Sequence, residues 1–80
     1  MMNEKEKKEL TEAIELQRFK KKKTQQDCAD LLGMSVVTYR DYEKNPERFS
    51  LSQGLKLSNY LEWNMFEFFL NNILQNAIKN

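Results

Sequence analysis

The sequence predicts an all-α domain built from five helices. Only two glycines and one proline interrupt the chain, fewer turn-forming residues than a sheet protein of this length needs. Leu, Lys, Glu, Gln and Asn instead recur in segments of helical period. With 80 residues and a hydrophobic content of 40%, the chain suffices for one core, so we expect residues 1–80 to form a single domain.

The first predicted helix runs from residue 3 to about residue 20. Asn3 is a suitable N-cap residue, and Glu4 and Lys8 have the spacing of an ion pair on a helix surface. Three apolar residues lie at core spacing, namely Leu10, Ile14 and Leu16. We therefore expect an amphipathic helix with a charged opening turn.

The second predicted helix spans only about two turns. Thr24 opens it, with Asp27 at the third position of a capping box, and Gly33 closes it in the left-handed conformation. A helix this short is unstable alone, because nucleation costs more than so few hydrogen bonds return. We therefore expect packing against neighbouring helices to hold it in place.

The third predicted helix runs from Val36 to about Lys44, after a tight turn. Ser35 is its N-cap, and Asn45 ends it because the residue before a proline is driven out of helical dihedrals. Tyr39 and Tyr42 share one side and are expected to face the core. A loop is predicted from there to Phe49.

Two further helices complete the predicted domain. Ser50 caps the fourth, and Gly54 within it indicates close approach of a neighbouring backbone or a bulky ring. Five apolar residues of this segment are placed to meet the core: Leu51, Leu55, Leu57, Tyr60 and Leu61. Asn64 caps the extended C-terminal helix, which runs from Met65 towards Lys79.

The C-terminal helix carries two apolar sides when it is wound at about 100° per residue. Met65, Phe68 and Phe69 form the side that fits the core. The second side consists of Phe66, Leu70, Ile73, Leu74, Ala77 and Ile78. Because soluble monomers rarely expose so broad an apolar patch, we expect this second side to be a two-fold homodimer interface. Packing over the first helix of the same chain is the alternative.

The composition argues against several classes of function. The chain has no histidine and one cysteine, so it lacks the common zinc ligand sets and every histidine-based catalytic dyad or triad. A glycine-rich phosphate loop and a nucleophile elbow are also missing. We therefore expect no enzyme, no metal and no cofactor. The sequence has neither a transmembrane run nor a leader, which predicts a cytoplasmic protein without a membrane partner.

The distribution of charge points to the middle of the chain. The formal net charge is only +1, but residues 18–48 carry eight basic and five acidic residues, whereas residues 1–17 carry three basic and five acidic ones. Clustered basic residues are typical of nucleic-acid binding. The four lysines at 20–23 form either a solvated turn or a phosphate-facing segment.

The string TQQDCADLLGMSVVTYRDYEKNP resembles the helix-turn-helix of the Cro and repressor family, also called the xenobiotic-response-element family. The matching features are Thr24 and Gln25 at the opening, Ala29, the turn from Gly33 to Ser35, and Glu43. The likeness spans most of residues 10–70. It implies a lambda-repressor-like domain whose motif covers about residues 24–45, in a DNA-binding protein of phage or mobile-element type.

The resemblance also implies roles for three residues that lie away from the DNA. Arg18 and Glu43 would form a partly buried ion pair between the first helix and the third. Cys28 takes the place of the usual leucine and is interpreted as a small core residue.

The same resemblance implies that the third helix enters the major groove and that the second helix directs its N-terminus at a phosphate. Gln25 would then clamp the DNA backbone. The implied DNA-binding residues are Thr24, Gln25, Ser35, Val36, Val37, Thr38, Arg40, Asp41, Lys44, Asn45 and Arg48. The two valines stand where polar residues are usual, and they would contact thymine methyl groups. Arg40 would bind guanine or a phosphate, and Asp41 would accept from cytosine or pair with a lysine.

We therefore expect a transcriptional regulator, repressor-like or Cro-like, that binds a short inverted-repeat operator in double-stranded DNA as a homodimer. The alternative keeps the fold but changes the partner. In that case the aromatic C-terminal helix of an antitoxin-like or inhibitor protein would bind another protein. The paired valines, the small net charge and the apolar stripe from Phe66 to Ile78 favour this alternative.

Overall fold

The computed structural model describes residues 2–79, so Met1 and Asn80 of the predicted domain lie outside the described residues. The described chain is all-α, as predicted. A single 3₁₀ turn, Pro46–Arg48, lies where a loop was expected. The five α-helices are α1 (Glu4–Lys20), α2 (Gln25–Leu32), α3 (Val36–Lys44), α4 (Leu51–Tyr60) and α5 (Met65–Lys79).

Side-chain caps open all five helices at the predicted residues. The Asn3 Oδ1 accepts from the Glu6 backbone N–H at 2.8 Å, and the Thr24 Oγ1 accepts from that of Asp27 at 3.0 Å. Both are reciprocated capping boxes, as is the one at Ser50. Ser35 and Asn64 each accept one such hydrogen bond. Local hydrogen bonding thus sets where each helix begins.

Three helices end with a residue in the left-handed region. Gly33 closes α2 at φ +68°, as predicted. Lys22 after α1 and Glu62 after α4 adopt φ of +56° and +53° although neither is glycine. In each case the next backbone N–H bonds five residues back, as in Lys23 to the Arg18 carbonyl at 2.9 Å. Two of these helix ends therefore carry the steric cost of a left-handed side chain.

The core forms where α1 packs against α3 and α5 and where α2 packs against α3 and α4. Its fully buried apolar residues are Leu10, Ile14, Cys28, Ala29, Tyr39, Leu57, Leu61 and Met65. Cys28 is the small core residue that was expected.

Three leucines predicted in the core are exposed instead, and for them the prediction was wrong. They are Leu16, Leu51 and Leu55. Leu16 follows the buried Ile14 by two positions, and Leu55 precedes the buried Leu57 by two, so each lies roughly 200° around its helix from the core. Leu51 lies on the outer side of α4 as well. The inner faces of α1 and α4 are therefore narrower than the leucine count suggests.

Gly54 is the point at which α5 approaches α4, as its position in a helix suggested. A Cβ atom at this residue would lie 2.7 Å from Cζ of Phe66, closer than packed atoms tolerate. At the start of α5, the rings of Trp63 and Phe68 pack with centroids 5.5 Å apart. Across residues 2–79, no helix has both the length and the apolar character needed to cross a membrane.

Candidate nucleic-acid interface

The geometry of α2 and α3 is that of two short helices joined by a tight turn. The Met34 backbone N–H bonds to the Ala29 carbonyl at 3.0 Å across Gly33, and Met34 packs against the core. Tyr39 is fully buried, and Tyr42 packs edge-on to Phe49 with centroids 5.5 Å apart. Tyr39 therefore faces the core, as predicted, whereas Tyr42 is half-buried and packs on Phe49. Tyr39 fixes which side of α3 faces solvent.

The outward side of α3 carries the predicted base-reading residues. Val37 is 70% exposed, whereas Val36 is half-buried against the core. Thr38 and Arg40 are exposed, and Ser35 stands at the start of the helix, where its hydroxyl bonds to the Thr38 hydroxyl at 3.0 Å. The two valines are thus not equivalent, because only Val37 presents most of its side chain to a partner.

Arg18 and Glu43 form the ion pair that the resemblance implied. Nε and Nη2 of Arg18 donate to the two carboxylate oxygens of Glu43 at 3.0 and 3.1 Å. Glu43 is 2% exposed, so the pair is largely withdrawn from water. It joins the C-terminal half of α1 to the C-terminal half of α3 and so fixes the position of α3.

Gln25 extends this ion pair into a four-residue network. Its Nε2 donates to the Glu43 carboxylate at 3.2 Å, and its Oε1 accepts from Nε of Arg40 at 3.1 Å. The network thus runs from Arg18 through Glu43 and Gln25 to Arg40. Sequence reasoning assigned Gln25 to a phosphate and missed both of these contacts. The only available signal was the presence of donors and acceptors at the facing ends of α2 and α3.

Near the end of α3, Asp41 is paired within the protein. Its carboxylate lies 3.0 Å from Nη1 of Arg48 and accepts from Nδ2 of Asn45 at 3.2 Å. The partner is thus an arginine, where a lysine had been the predicted one. The Asn45 Oδ1 accepts from Nζ of Lys7 at 3.2 Å, while Lys44 is exposed. Among these residues, Lys44 is the most freely presented cation.

Thr24 and Asp27 define the entry to α2. The Thr24 backbone N–H donates to the Asp27 carboxylate at 2.9 Å, and this hydrogen bond holds the pKa of Asp27 below its ordinary value. Thr24 itself is exposed beside Gln25. Asp27 therefore keeps a negative charge at the start of α2, where it interacts favourably with the positive end of the helix dipole.

The lysine run divides between two roles. Nζ of Lys21 lies 2.9 Å from the Glu62 carboxylate, and hydrogen bonding to Lys21 lowers the pKa of Glu62. Nζ of Lys23 lies 4.6 Å from the centroid of the Tyr60 ring. Lys20 and Lys22 are exposed. Two of the four lysines thus bind to residues in and just after α4, and the other two remain available to a charged partner.

A helix-turn-helix family model matches residues 14–67, well over half of the chain. The chain therefore belongs to the helix-turn-helix family of DNA-binding proteins, and its five helices form the predicted lambda-repressor-like fold. No curated protein and no solved structure matches the chain.

Proposed function

We propose that the protein is a sequence-specific transcriptional regulator that places α3 in the major groove of double-stranded DNA. One observation carries this proposal most directly. Buried Tyr39 and Glu43 fix the inner side of α3, which leaves Val37, Thr38 and Arg40 together on an exposed side of a helix short enough to enter the groove. The membership of the helix-turn-helix family supports the same partner.

Base reading is proposed to rest on the first turn of α3. Val37 contacts a thymine methyl group, and Thr38 supplies a hydroxyl that both donates and accepts. Val36, which is half-buried, makes a smaller methyl contact at the groove edge. Ser35 and Asp41 complete the base-facing set. Specificity then depends on apolar contacts more than on hydrogen bonds.

Phosphate contacts are proposed for residues on either side of α3. Thr24 caps α2, the helix that crosses the DNA backbone in this class of motif, and Gln25 follows it as the first residue of that helix. Lys44 is the last residue of α3, and Asn45 and Arg48 follow it in the chain. Arg48 shares its guanidinium with Asp41, so binding to DNA competes with that ion pair. Lys44 makes the simplest electrostatic contact.

The proposed operator is a short inverted repeat bound by a homodimer. Leu70, Leu74 and Ile78 follow one another at four-residue intervals on α5 and are exposed, as is Ala77. Phe66 and Ile73 are half-buried and line an apolar groove of about 380 Å³ next to this stripe. The six residues of the predicted interface are therefore unequally exposed, and we propose that the exposed stripe makes the two-fold contact.

Sedimentation of two charge variants tests the dimer. Leu74→Glu should convert the dimer to a monomer, because a carboxylate would be buried in an apolar contact. Gln75→Glu adds the same charge at the neighbouring exposed position and should remain dimeric. A wild-type protein that sediments as a monomer at high micromolar concentration, or a dimeric Leu74→Glu variant, would overturn this interface.

We propose that the regulator acts in the cytoplasm by occupying a promoter, as repressors and Cro-like proteins do. Its origin in a phage or mobile element remains a prediction from the resemblance. Selection of bound duplexes from a random pool tests the function directly. Recovery of an inverted repeat with thymine-containing half-sites about one helical turn apart is the expected result. Failure to enrich any duplex at low salt would overturn the proposed function.

A further inference from the structure

The buried carboxylate of Glu43 fixes the orientation of the Gln25 carboxamide. A carboxylate only accepts hydrogen bonds, so the amide nitrogen of Gln25 must face it, as the 3.2 Å contact shows. Glu43 is itself immobilised by two hydrogen bonds from Arg18. The Gln25 oxygen is consequently turned the other way and can serve only as an acceptor for a donor on the outer surface.

Arg40 is the donor that uses this oxygen. Its Nε lies 3.1 Å from Oε1 of Gln25, and Arg40 is exposed. Among residues 2–79, its Nη1 and Nη2 groups make no hydrogen bond or ion pair, so they remain available to a ligand. A guanidinium held in this way has lost part of its freedom before binding, which lowers the entropic cost of a contact with DNA.

The place at which Arg40 is held indicates what it binds. Gln25 is the first residue of α2, the helix that crosses the DNA backbone in this class of motif. Base edges are contacted instead by the N-terminal residues of the second motif helix, which is α3 here. Arg40 is the fifth residue of α3, beyond that N-terminal part. Its planar fork of N–H groups suits a phosphate.

We propose that Gln25 is a positioning residue that holds Arg40 against a DNA phosphate and strengthens binding only through Arg40. This proposal rests on the proposed function, and it changes the role of both residues. Arg40 then contacts a phosphate, which is present in DNA of any sequence, instead of reading guanine. Gln25 becomes a link between the buried ion pair and the DNA surface instead of an independent backbone clamp.

A double-mutant cycle tests the proposal, using the duplex recovered by selection and a scrambled duplex of the same length. Arg40→Ala should weaken binding to both duplexes by the same factor. It should also reduce the slope of log affinity against log salt concentration by about 0.9, the value for one lost phosphate contact. Gln25→Ala should weaken binding in the wild-type background and have no further effect in the Arg40→Ala background.

Gln26→Ala is the matched control. Gln26 has the same side chain one position later, but it bonds to Asp30 within α2, so its removal should leave binding and the salt slope unchanged. Circular dichroism and thermal unfolding confirm that each variant is folded at the assay temperature. The Arg40→Ala salt slope tests the phosphate contact even where Gln25→Ala is unstable.

Two results would overturn the proposal and leave the proposed function standing. An equal loss from Gln25→Ala in both backgrounds would mean that Gln25 contacts DNA by itself. Loss of preference at a single base pair in Arg40→Ala would mean that Arg40 reads a base. Absence of any DNA binding by the wild-type protein at low salt would instead overturn the proposed function and, with it, this proposal.

Discussion

The guanidinium of Arg18 on α1 holds the buried carboxylate of Glu43 on α3 through two hydrogen bonds, of 3.0 and 3.1 Å. This contact fastens α3, with its exposed side, to the first helix of the domain. It also sets the direction of the Gln25 carboxamide and, through it, the place of Arg40. A single buried acid therefore links the stability of the fold to the arrangement of the proposed DNA contacts.

Removal of Arg18 should be strongly destabilising. Arg18→Met leaves the Glu43 carboxylate buried without its charge partner, and we expect the free energy of unfolding to fall by about 3 kcal/mol. Urea denaturation measures this loss. The double variant Arg18→Met/Glu43→Leu replaces the pair with apolar groups and should recover most of it. A double variant that is less stable than Arg18→Met would contradict this account of the pair.

Gly54→Ala should lower stability although alanine favours helices. The methyl group would lie 2.7 Å from Cζ of Phe66 and displace the ring. Overpacking of this kind costs roughly 1–3 kcal/mol, against a gain of about 1 kcal/mol in helix propensity. In a Phe66→Leu background the ring is gone, so the same substitution should become stabilising. Thermal unfolding of the wild type, the two single variants and the double variant measures the effect of Gly54→Ala in each background. A destabilising Gly54→Ala in both backgrounds would contradict the role assigned to Phe66.

Stability should decline at alkaline pH because of Cys28. Burial raises the pKa of its thiol, so the folded state resists ionisation that the unfolded state undergoes. A raised folded pKa gives stability that is complete below the unfolded value of about 8.5 and is lost as pH rises towards the folded value. Burial likewise raises the pKa of Tyr39, whose effect sets in as the pH approaches the unfolded tyrosine value of about 10.

Comparison with a variant that lacks the thiol isolates its effect between about pH 8.5 and 10. The free energy of unfolding should fall by up to about 1.4 kcal/mol per pH unit in the wild-type protein. Cys28→Ala lacks the ionising group and should show a flatter profile, whatever its absolute stability. Parallel profiles for the two proteins would mean that Cys28 does not ionise on unfolding in this range.

The methyl contact of Val37 should be visible in the DNA as well as in the protein. Replacing the contacted thymine with uracil removes only the C5-methyl group, and we expect a loss of about 0.8 kcal/mol, roughly fourfold in affinity. Val37→Ala should already have lost this contact and show little further effect of uracil. Fluorescence anisotropy with the two duplexes measures both quantities. Equal losses for wild type and Val37→Ala would show that another residue contacts the methyl group.

Local features of the fold were predictable because their causes are local. Asn3, Thr24 and Ser50 bond to backbone groups three residues away, so the sequence contains all that is needed to place those helix starts. The left-handed residues Lys22 and Glu62 escaped prediction because no glycine marks them. At each position the next backbone N–H bonds to a carbonyl five residues back, a contact that residue type does not announce.

Long-range features were predictable only in part. Helical period alone does not distinguish two leucine-bearing sides, so Leu16 was placed in the core although only the Ile14 side of α1 is buried. The pair of Arg18 and Glu43 was expected from the resemblance. The contact between Gln25 and Arg40 depends on how closely α2 and α3 approach each other. The spacing of residues along the chain does not give that distance.

The central claim is that the exposed side of α3 binds DNA, and one affinity comparison tests it most directly. Val37→Glu places a carboxylate on that side, where it would face phosphates and bases, whereas Leu16→Glu makes the same kind of change at an exposed leucine of α1. Binding to the selected duplex is measured by anisotropy at fixed low salt. We predict a loss of at least about 100-fold for Val37→Glu, since facing like charges cost several kcal/mol, and a change below about threefold for Leu16→Glu. Wild-type affinity in a folded Val37→Glu protein would contradict the claim.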